Sequence, residues 1–245
     1  LVQIKQIKPQ LNNLCWATKG LEAGTQELLH KIVIDEFGPE LSYAVISGPT
    51  FAGEVARGLP TAVTIASNNQ DFSTQLADLF HNKTFRPYIS SDVIGLEIGG
   101  AVKNVLAIAT GIADGLGYGA NTRAAVITRC IAEMTRLALK VGAKKETLMG
   151  LSGIGDLLLT CTDDQSRNRR MGLAIGAGKT IQQAQEEIVQ VVEGVQTAKE
   201  IYKLSLKYQV KMPIVEQVYH VLHKGISAQQ AVSNLLERSY KHEHS

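Results

Sequence analysis

The sequence predicts half of an α/β sheet domain, over residues 1–92, followed by an all-helical domain over residues 93–245. Two observations carry this. Short β-prone apolar runs alternate with amphipathic stretches up to Ser91, where the strand signals stop. Beyond that point come long segments rich in Ala and Leu, with the apolar periodicity of buried helices. At 245 residues, 44% hydrophobic and 20% charged, the chain is an ordinary globular one, long enough to bury one or two cores.

In the first half, Leu14 to Thr18 reads as a buried strand and Thr25 to Phe37 as a helix. Tyr43 to Ser47 is a strand ended by Gly48-Pro49, and Thr50 to Gly58 is a short helix that Thr50 can cap. Thr61 to Ala66 is a strand, Asp71 to His81 a helix, and Phe85 to Ile89 the last strand. This alternation demands a sheet that is at least partly parallel. In the second half, Ile94 to Gly115 and Asn121 to Val141 are long buried helices. Thr180 to Gln183 and Ser227 to Gln230 have the spacing of capping boxes. Pro213 opens a further helix that Gly225 ends. Residues 239–245 are polar and expected to fray. The chain opens Leu1-Val-Gln-Ile rather than with Met, and these residues read as the tail of a helix without a start signal, so further residues are expected upstream.

A net charge of +2 is too mild for nucleic-acid or anionic-membrane binding, so any anion site must be local. Cys15, Cys130 and Cys161 lie far apart, which argues against a disulfide framework or a zinc site and suits a reducing cytoplasm. The apolar runs read as too short and interrupted to span a bilayer, and no signal peptide is apparent.

The most informative stretch is Gly99-Gly-Ala-Val-Lys-Asn-Val105. Lys103 and Asn104 interrupt an otherwise apolar helix, with Gly99, Gly100 and Ala107 beside Lys103 on one face. Such neighbours leave space above the ammonium for a substrate. A desolvated lysine has a lowered pKa and can exchange a proton near neutrality, as a general acid or base on a carbonyl or alcohol oxygen must. The competing reading is that Lys103 snorkels outward or pairs with a buried carboxylate such as Glu97. Asp156, set among apolar residues, needs a partner, and a lysine from a neighbouring helix would serve. Thr160 lies one turn on, while a plain helix cap would also explain Asp156. Ser166, Arg167 and Asn168 offer a hydroxyl, a guanidinium fork and an amide, a trio suited to phosphate, although an exposed basic run is the commoner origin of such strings. Gly48 and Thr50, at a strand-to-helix junction, and Lys19, after another strand, stand where open α/β sheets bind ligands; alone, each reads equally as a turn or an exposed charge.

Taken together, the strings Ala17-Thr-Lys-Gly-Leu-Glu22, Gly48-Pro-Thr-Phe-Ala-Gly-Glu54, Gly100-Ala-Val-Lys-Asn-Val105, Asp114-Gly-Leu-Gly-Tyr-Gly-Ala-Asn121, Gly153-Ile-Gly-Asp-Leu-Leu-Leu-Thr-Cys161, Ser166-Arg-Asn-Arg169 and Val192-Glu-Gly194 resemble the bacterial-type NAD(P)-dependent glycerol-3-phosphate dehydrogenases. They occur in the family's order along nearly the whole chain. The resemblance implies a Rossmann-like first domain, incomplete here, and a helical substrate domain. It also implies NADPH or NADH as cofactor and reversible reduction of dihydroxyacetone phosphate to sn-glycerol 3-phosphate for glycerophospholipid synthesis. On the matching positions, Lys103 would donate the proton to the carbonyl oxygen and Lys19 would add charge near the substrate. Asn104, Asp156 and Thr160 would orient Lys103 and the substrate. Ser166, Arg167 and Asn168 would hold the phosphate, with Gly48 and Thr50 bordering the substrate. Ala52, Arg167, Val192 and Glu193 would touch the cofactor. A homodimer, a cytoplasmic location and neither nucleic-acid partner nor integral membrane segment complete the expectation. No G-x-G-x-x-G dinucleotide fingerprint occurs in these residues, so this chain by itself is expected to bind cofactor poorly and to be inactive, the activity belonging to a longer parent.

Two other readings compete. A 6-phosphogluconate or β-hydroxyacid dehydrogenase resembles this plan, with its helical substrate domain and catalytic lysine, but the Ser-Arg-Asn-Arg and Gly-Pro-Thr-Phe-Ala strings favour the glycerol-phosphate reading. A non-catalytic helical binding module would make Lys103 incidental.

Overall fold

The computed structural model describes residues 1–8, 10–240 and 242. After α1 (Val2–Ile7), the first region runs β1 (Asn13–Trp16), α2 (Leu29–Phe37), β2 (Ser42–Ser47), α3 (Ala52–Ala56), β3 (Thr61–Ser67), α4 (Gln70–Phe80) and β4 (Phe85–Ser90). The strands form one sheet in the order β1-β2-β3-β4. β1 and β2 are parallel, as are β3 and β4, while β2 and β3 are antiparallel with Val45 opposite Ala66. The sheet is thus mixed, in keeping with the partly parallel expectation.

Alternation along the strands divides the sheet's two faces. Tyr43, Val45 and Ala66 join Val33 of α2 and Leu96 in one apolar cluster. Ala44 and Ile65 point the other way, onto Phe72 and Leu76 of α4. Two starts differ from expectation. The helix after β1 begins at Leu29 rather than Thr25, because Ala23 to Thr25 form a turn in which the Thr25 hydroxyl donates to Glu22. Thr50 does not cap α3. The cap position is Phe51, without a side-chain cap bond, and Thr50 Oγ1 instead donates to the Gly48 carbonyl at 3.2 Å.

Beyond the sheet the chain is helical: α5 (Val93–Gly115), α6 (Ala120–Lys140), α7 (Lys145–Leu148), a π-helical turn (Leu151–Gly155), α8 (Asp156–Thr162), α9 (Arg167–Gly176), α10 (Ile181–Ile188), α11 (Glu193–Lys207), α12 (Pro213–Lys224) and α13 (Ala228–Leu236). The Thr180 capping box forms reciprocally, whereas at Ser227 only the hydroxyl-to-Gln230 half is present. Pro213 opens α12 and Gly225 closes it in a left-handed conformation, as expected. Of the tail expected to fray, residues 241 and 243–245 lie outside the described residues, and Ser239 and Tyr240 belong to no helix or strand.

α5 is the axis. It is about 35 Å long, and α6, α8, α9, α11 and α12 all pack against it. Its 23 residues are long and apolar enough, by length and composition, to cross a membrane, which corrects the expectation that no run qualifies. The physical reason for this composition is burial, since 89% of its most apolar stretch is inside the protein. Where α5 crosses α9, glycines face one another. A Cβ on Gly111 would lie 2.2 Å from the Arg169 carbonyl, and one on Gly172 would lie 2.2 Å from the Ile108 carbonyl. Main chains meet where side chains would ordinarily separate the helices.

Candidate active site

Lys103 projects from the middle of α5 and is buried. Its Nζ donates to Asp156 Oδ1 and, at 3.0 Å, to Thr160 Oγ1. Thr160 in turn donates to the Asp156 main-chain carbonyl at 2.6 Å, so one turn of α8 presents carboxylate and hydroxyl together. Lys19, just past the end of β1, donates to Asp156 Oδ2 at 3.0 Å. One carboxylate therefore bridges two ammonium groups. Burial drives Lys103 down to about 8; Asp156 opposes this fall and the Lys19 charge adds to it.

Glu97 is not the partner of Lys103. It accepts from the main-chain nitrogen of His30 at 2.8 Å and lies 2.5 Å from His30 Nδ1, tying α2 to α5. Nor is Asp156 a cap, since Gly155 takes that position and Asp156 opens the helix proper. The small residues beside Lys103 do not hold open space as expected. A Cβ on Gly99 would come within 2.5 Å of the Ser152 carbonyl, and one on Gly100 within 3.3 Å of Lys19 Cγ. Their smallness lets the π-helical turn and the Lys19 stem close on α5, which is what brings Asp156 and Lys19 to the ammonium.

The next α5 residue turns toward another pair of helix starts. Asn104 Nδ2 donates to Glu193 Oε2 at 3.0 Å, at the first turn of α11, whose cap residue is Val192. Asn168 is buried at the start of α9, and its Oδ1 accepts from Gly194 N at 2.9 Å. Its amide NH2 is left to donate elsewhere. A Cβ on Gly194 would sit 2.6 Å from Asn168 Oδ1 and 2.8 Å from the Asn104 carbonyl, so glycine is what allows the three segments to meet. Ser166 caps α9 by accepting from Arg169 N at 3.2 Å, and its hydroxyl proton remains to be given. Arg167 is half-buried and makes no hydrogen bond or ion pair among the described residues. Arg169, by contrast, is spent structurally on Asp114, Asp164 and the Cys161 carbonyl. The basic string thus divides into one tied arginine and one unengaged.

The β2–α3 junction lies against the same region. Gly48 has φ +151°, and a Cβ there would be 3.1 Å from Val63 Cα, so this tight turn excludes other residues. Glu54 of α3 accepts from Gln165 at 3.0 Å, joining the junction to the loop before α9, while Ala52 is exposed at the start of α3. The sequence reading missed that bridge, and it missed Ser47. The Ser47 hydroxyl is buried, has no hydrogen-bond partner among the described residues and lies 3.5 Å from the point where a Gly100 Cβ would stand, beside Lys19. Its place as the last residue of a strand before Gly-Pro was the available signal.

Lys19, Lys103, Asp156 and Thr160 therefore form one bonded cluster and Asn104, Asn168, Glu193 and Gly194 a second, adjoining through the successive residues Lys103 and Asn104, while Thr50, Ala52 and Arg167 make no bond to either. Residues 1–73 match the family model for the NAD-dependent glycerol-3-phosphate dehydrogenase N-terminus, and residues 92–233 match that for its C-terminus. A glycerol-3-phosphate dehydrogenase [NAD(P)+] of Colwellia psychrerythraea is 54% identical over 98% of this chain and 73% of its own length. One from Photobacterium profundum is 52% identical over 98% and 72%. The crystal structure of glycerol-3-phosphate dehydrogenase from Coxiella burnetii superposes with a TM-score of 0.92 at 50% identity, over 97% of this chain and 73% of that one. The two family models and these relatives show that this chain belongs to the NAD(P)-dependent glycerol-3-phosphate dehydrogenases.

Proposed function

We propose that Lys103 is the proton donor to the carbonyl oxygen of dihydroxyacetone phosphate during its reduction to sn-glycerol 3-phosphate, and the base in the reverse reaction. The observation that carries this is the pairing of buried Lys103 and Asp156 with the half-buried Lys19. A ketone reduction needs one proton placed at the oxygen as hydride reaches the carbon. When bound, NADH or NADPH supplies that hydride. A lysine near 8 holds its proton at neutral pH yet releases it readily. Asp156 and Thr160 fix the ammonium, and Lys19 keeps a second positive charge beside the oxygen as negative charge develops.

On this reading the phosphate sits at the start of α9. Arg167 offers a charged fork, Ser166 a hydroxyl and Asn168 an amide, and the helix terminus adds its own partial positive charge. Gly48, Thr50 and Ser47 border the substrate from the sheet side. Asn104 is held by Glu193 and presents its carbonyl oxygen to a substrate hydroxyl. Ala52, Arg167, Val192 and Glu193 face the cofactor. Residues 1–92 then belong to cofactor binding and 93–245 to substrate binding and catalysis, with supply of glycerol phosphate to glycerophospholipid synthesis as the purpose.

The test is NAD(P)H oxidation with dihydroxyacetone phosphate, 6-phosphogluconate and β-hydroxyacids, in a form of the protein that carries a dinucleotide-binding loop. The proposal expects turnover with the first alone, and Arg167→Ala should raise KM with little change in kcat. Lys103→Ala should lower kcat by about 10²–10⁴, the range general acid catalysis contributes. Turnover confined to gluconate or hydroxyacid substrates would defeat it.

A further inference from the structure

A second concavity lies away from these clusters, between α6, α12 and α13. It encloses about 840 Å³, within the size of small-molecule sites. Its floor is aliphatic, with Ala113, Val126, Ile214 and Val232 among its lining residues. Its walls carry five cations: Arg129, Arg136, Lys140, Lys211 and Arg238. Among the described residues Glu133 is the one carboxylate that lines it. That carboxylate is buried and already accepts from Ile214 N at 2.8 Å and Val215 N at 3.2 Å, closing the start of α12. One carboxylate against five cations still leaves the walls net positive. Arg136 is fixed across the groove by donating to the Lys211 carbonyl at 3.0 Å. Lys140, Lys211 and Arg238 form no ion pair among the described residues.

We infer that this groove binds a single-chain anionic amphiphile, an alkyl chain of about a dozen carbons bearing a phosphate or carboxylate head. An apolar floor rewards a chain by area removed from water. Lys140, Lys211 and Arg238, without an ion pair among the described residues, reward an anionic head, and an Arg fork suits either oxyanion. A second copy of the protein is a poorer occupant. A two-fold through the groove would set its cations against themselves.

Isothermal titration of the full chain with dodecyl phosphate and with dodecanoate, each below its micelle concentration, tests this. Dodecyl maltoside and dodecyltrimethylammonium provide the uncharged and cationic controls. Saturable one-to-one binding is expected for both anions, at least tenfold tighter than for either control and weakening as salt rises. Preference for one anion would identify the head group, and equal affinity would leave the shared chemistry in place. Lys211→Glu combined with Arg238→Glu, both at exposed rim positions, should weaken dodecyl phosphate at least tenfold. The salt dependence in the unaltered chain tests the same charge term if that variant fails to fold. Equal binding of the maltoside, absence of saturation, or binding only to vesicles of anionic lipid would overturn the inference. So would a dimer in sedimentation that excludes dodecyl phosphate.

Discussion

Asp156 is the residue on which the proposed chemistry turns, because it is the counter-charge for two lysines at once. Its removal should not merely loosen Lys103. With the carboxylate gone, the burial that already lowers Lys103 acts unopposed, and Lys19 adds repulsion. Asp156→Asn should therefore lower kcat for ketone reduction by at least about tenfold at pH 7. It should also move the alkaline limb of the pH–rate profile to lower pH, because the donor loses its proton sooner. An unchanged limb would mean that Asp156 is not what sustains the ammonium. At this scale the sequence was legible where chemistry conflicts with surroundings. A lysine and an aspartate inside apolar helices declared themselves as partners in need. The choice between Asp156 and Glu97 was not legible, since it depends on which helix lies over which turn of α5. Ser47 was silent for a similar reason, because a serine ending a strand is unremarkable until its hydroxyl is seen to be buried and unpaired among the described residues.

Among the elements, the α5–α9 crossing and the start of α12 make the clearest stability predictions. Gly172→Ala ought to be favourable by helix propensity, by about 1 kcal/mol. Here the new methyl would meet main chain at 2.2 Å, and overpacking of this kind costs about 1–3 kcal/mol or more. The crossing wins, so urea unfolding should show a net loss of stability. Glu133 gives a pH signature instead. Burial lifts it from the usual carboxylate value to about 7, the α12 N–H groups only partly opposing. Its folded pKa lies above its unfolded one, so the folded state holds the proton longer and stability falls as pH rises from about 4.5 to about 7. Glu133→Gln should flatten that part of a Tm-against-pH curve, and an unchanged slope would assign it to other groups. Sequence periodicity located α5 to within a residue, because its burial imposes a regular pattern, and Pro213 and Gly225 bounded α12, whereas α9 was not assigned. The π-helical turn escaped the periodicity, being set by how closely Gly99 lets Ser152 approach.

For the molecule as a whole, the fold assembles one site from distant stretches. Lys19 meets Asp156 across 137 residues of chain, and Lys103 meets it across 53. His30 and Glu97 tie the sheet region to the same axial helix that carries Lys103. The division into sheet and helices was legible because strand and helix periods differ. The antiparallel step between β2 and β3 was not, since the short link through α3 reverses direction by its own geometry. The central claim is that this long-range assembly gives Lys103 a proton it can exchange near neutrality. The most direct measurement is an NMR titration of the chain labelled at lysine Cε, with Lys103→Arg to assign the resonance and Lys19→Met to test the coupling. A Lys103 midpoint near 8, well below the ordinary lysine value, is expected, and it should rise when Lys19 loses its charge. A midpoint at the ordinary lysine value, indifferent to Lys19, would contradict it.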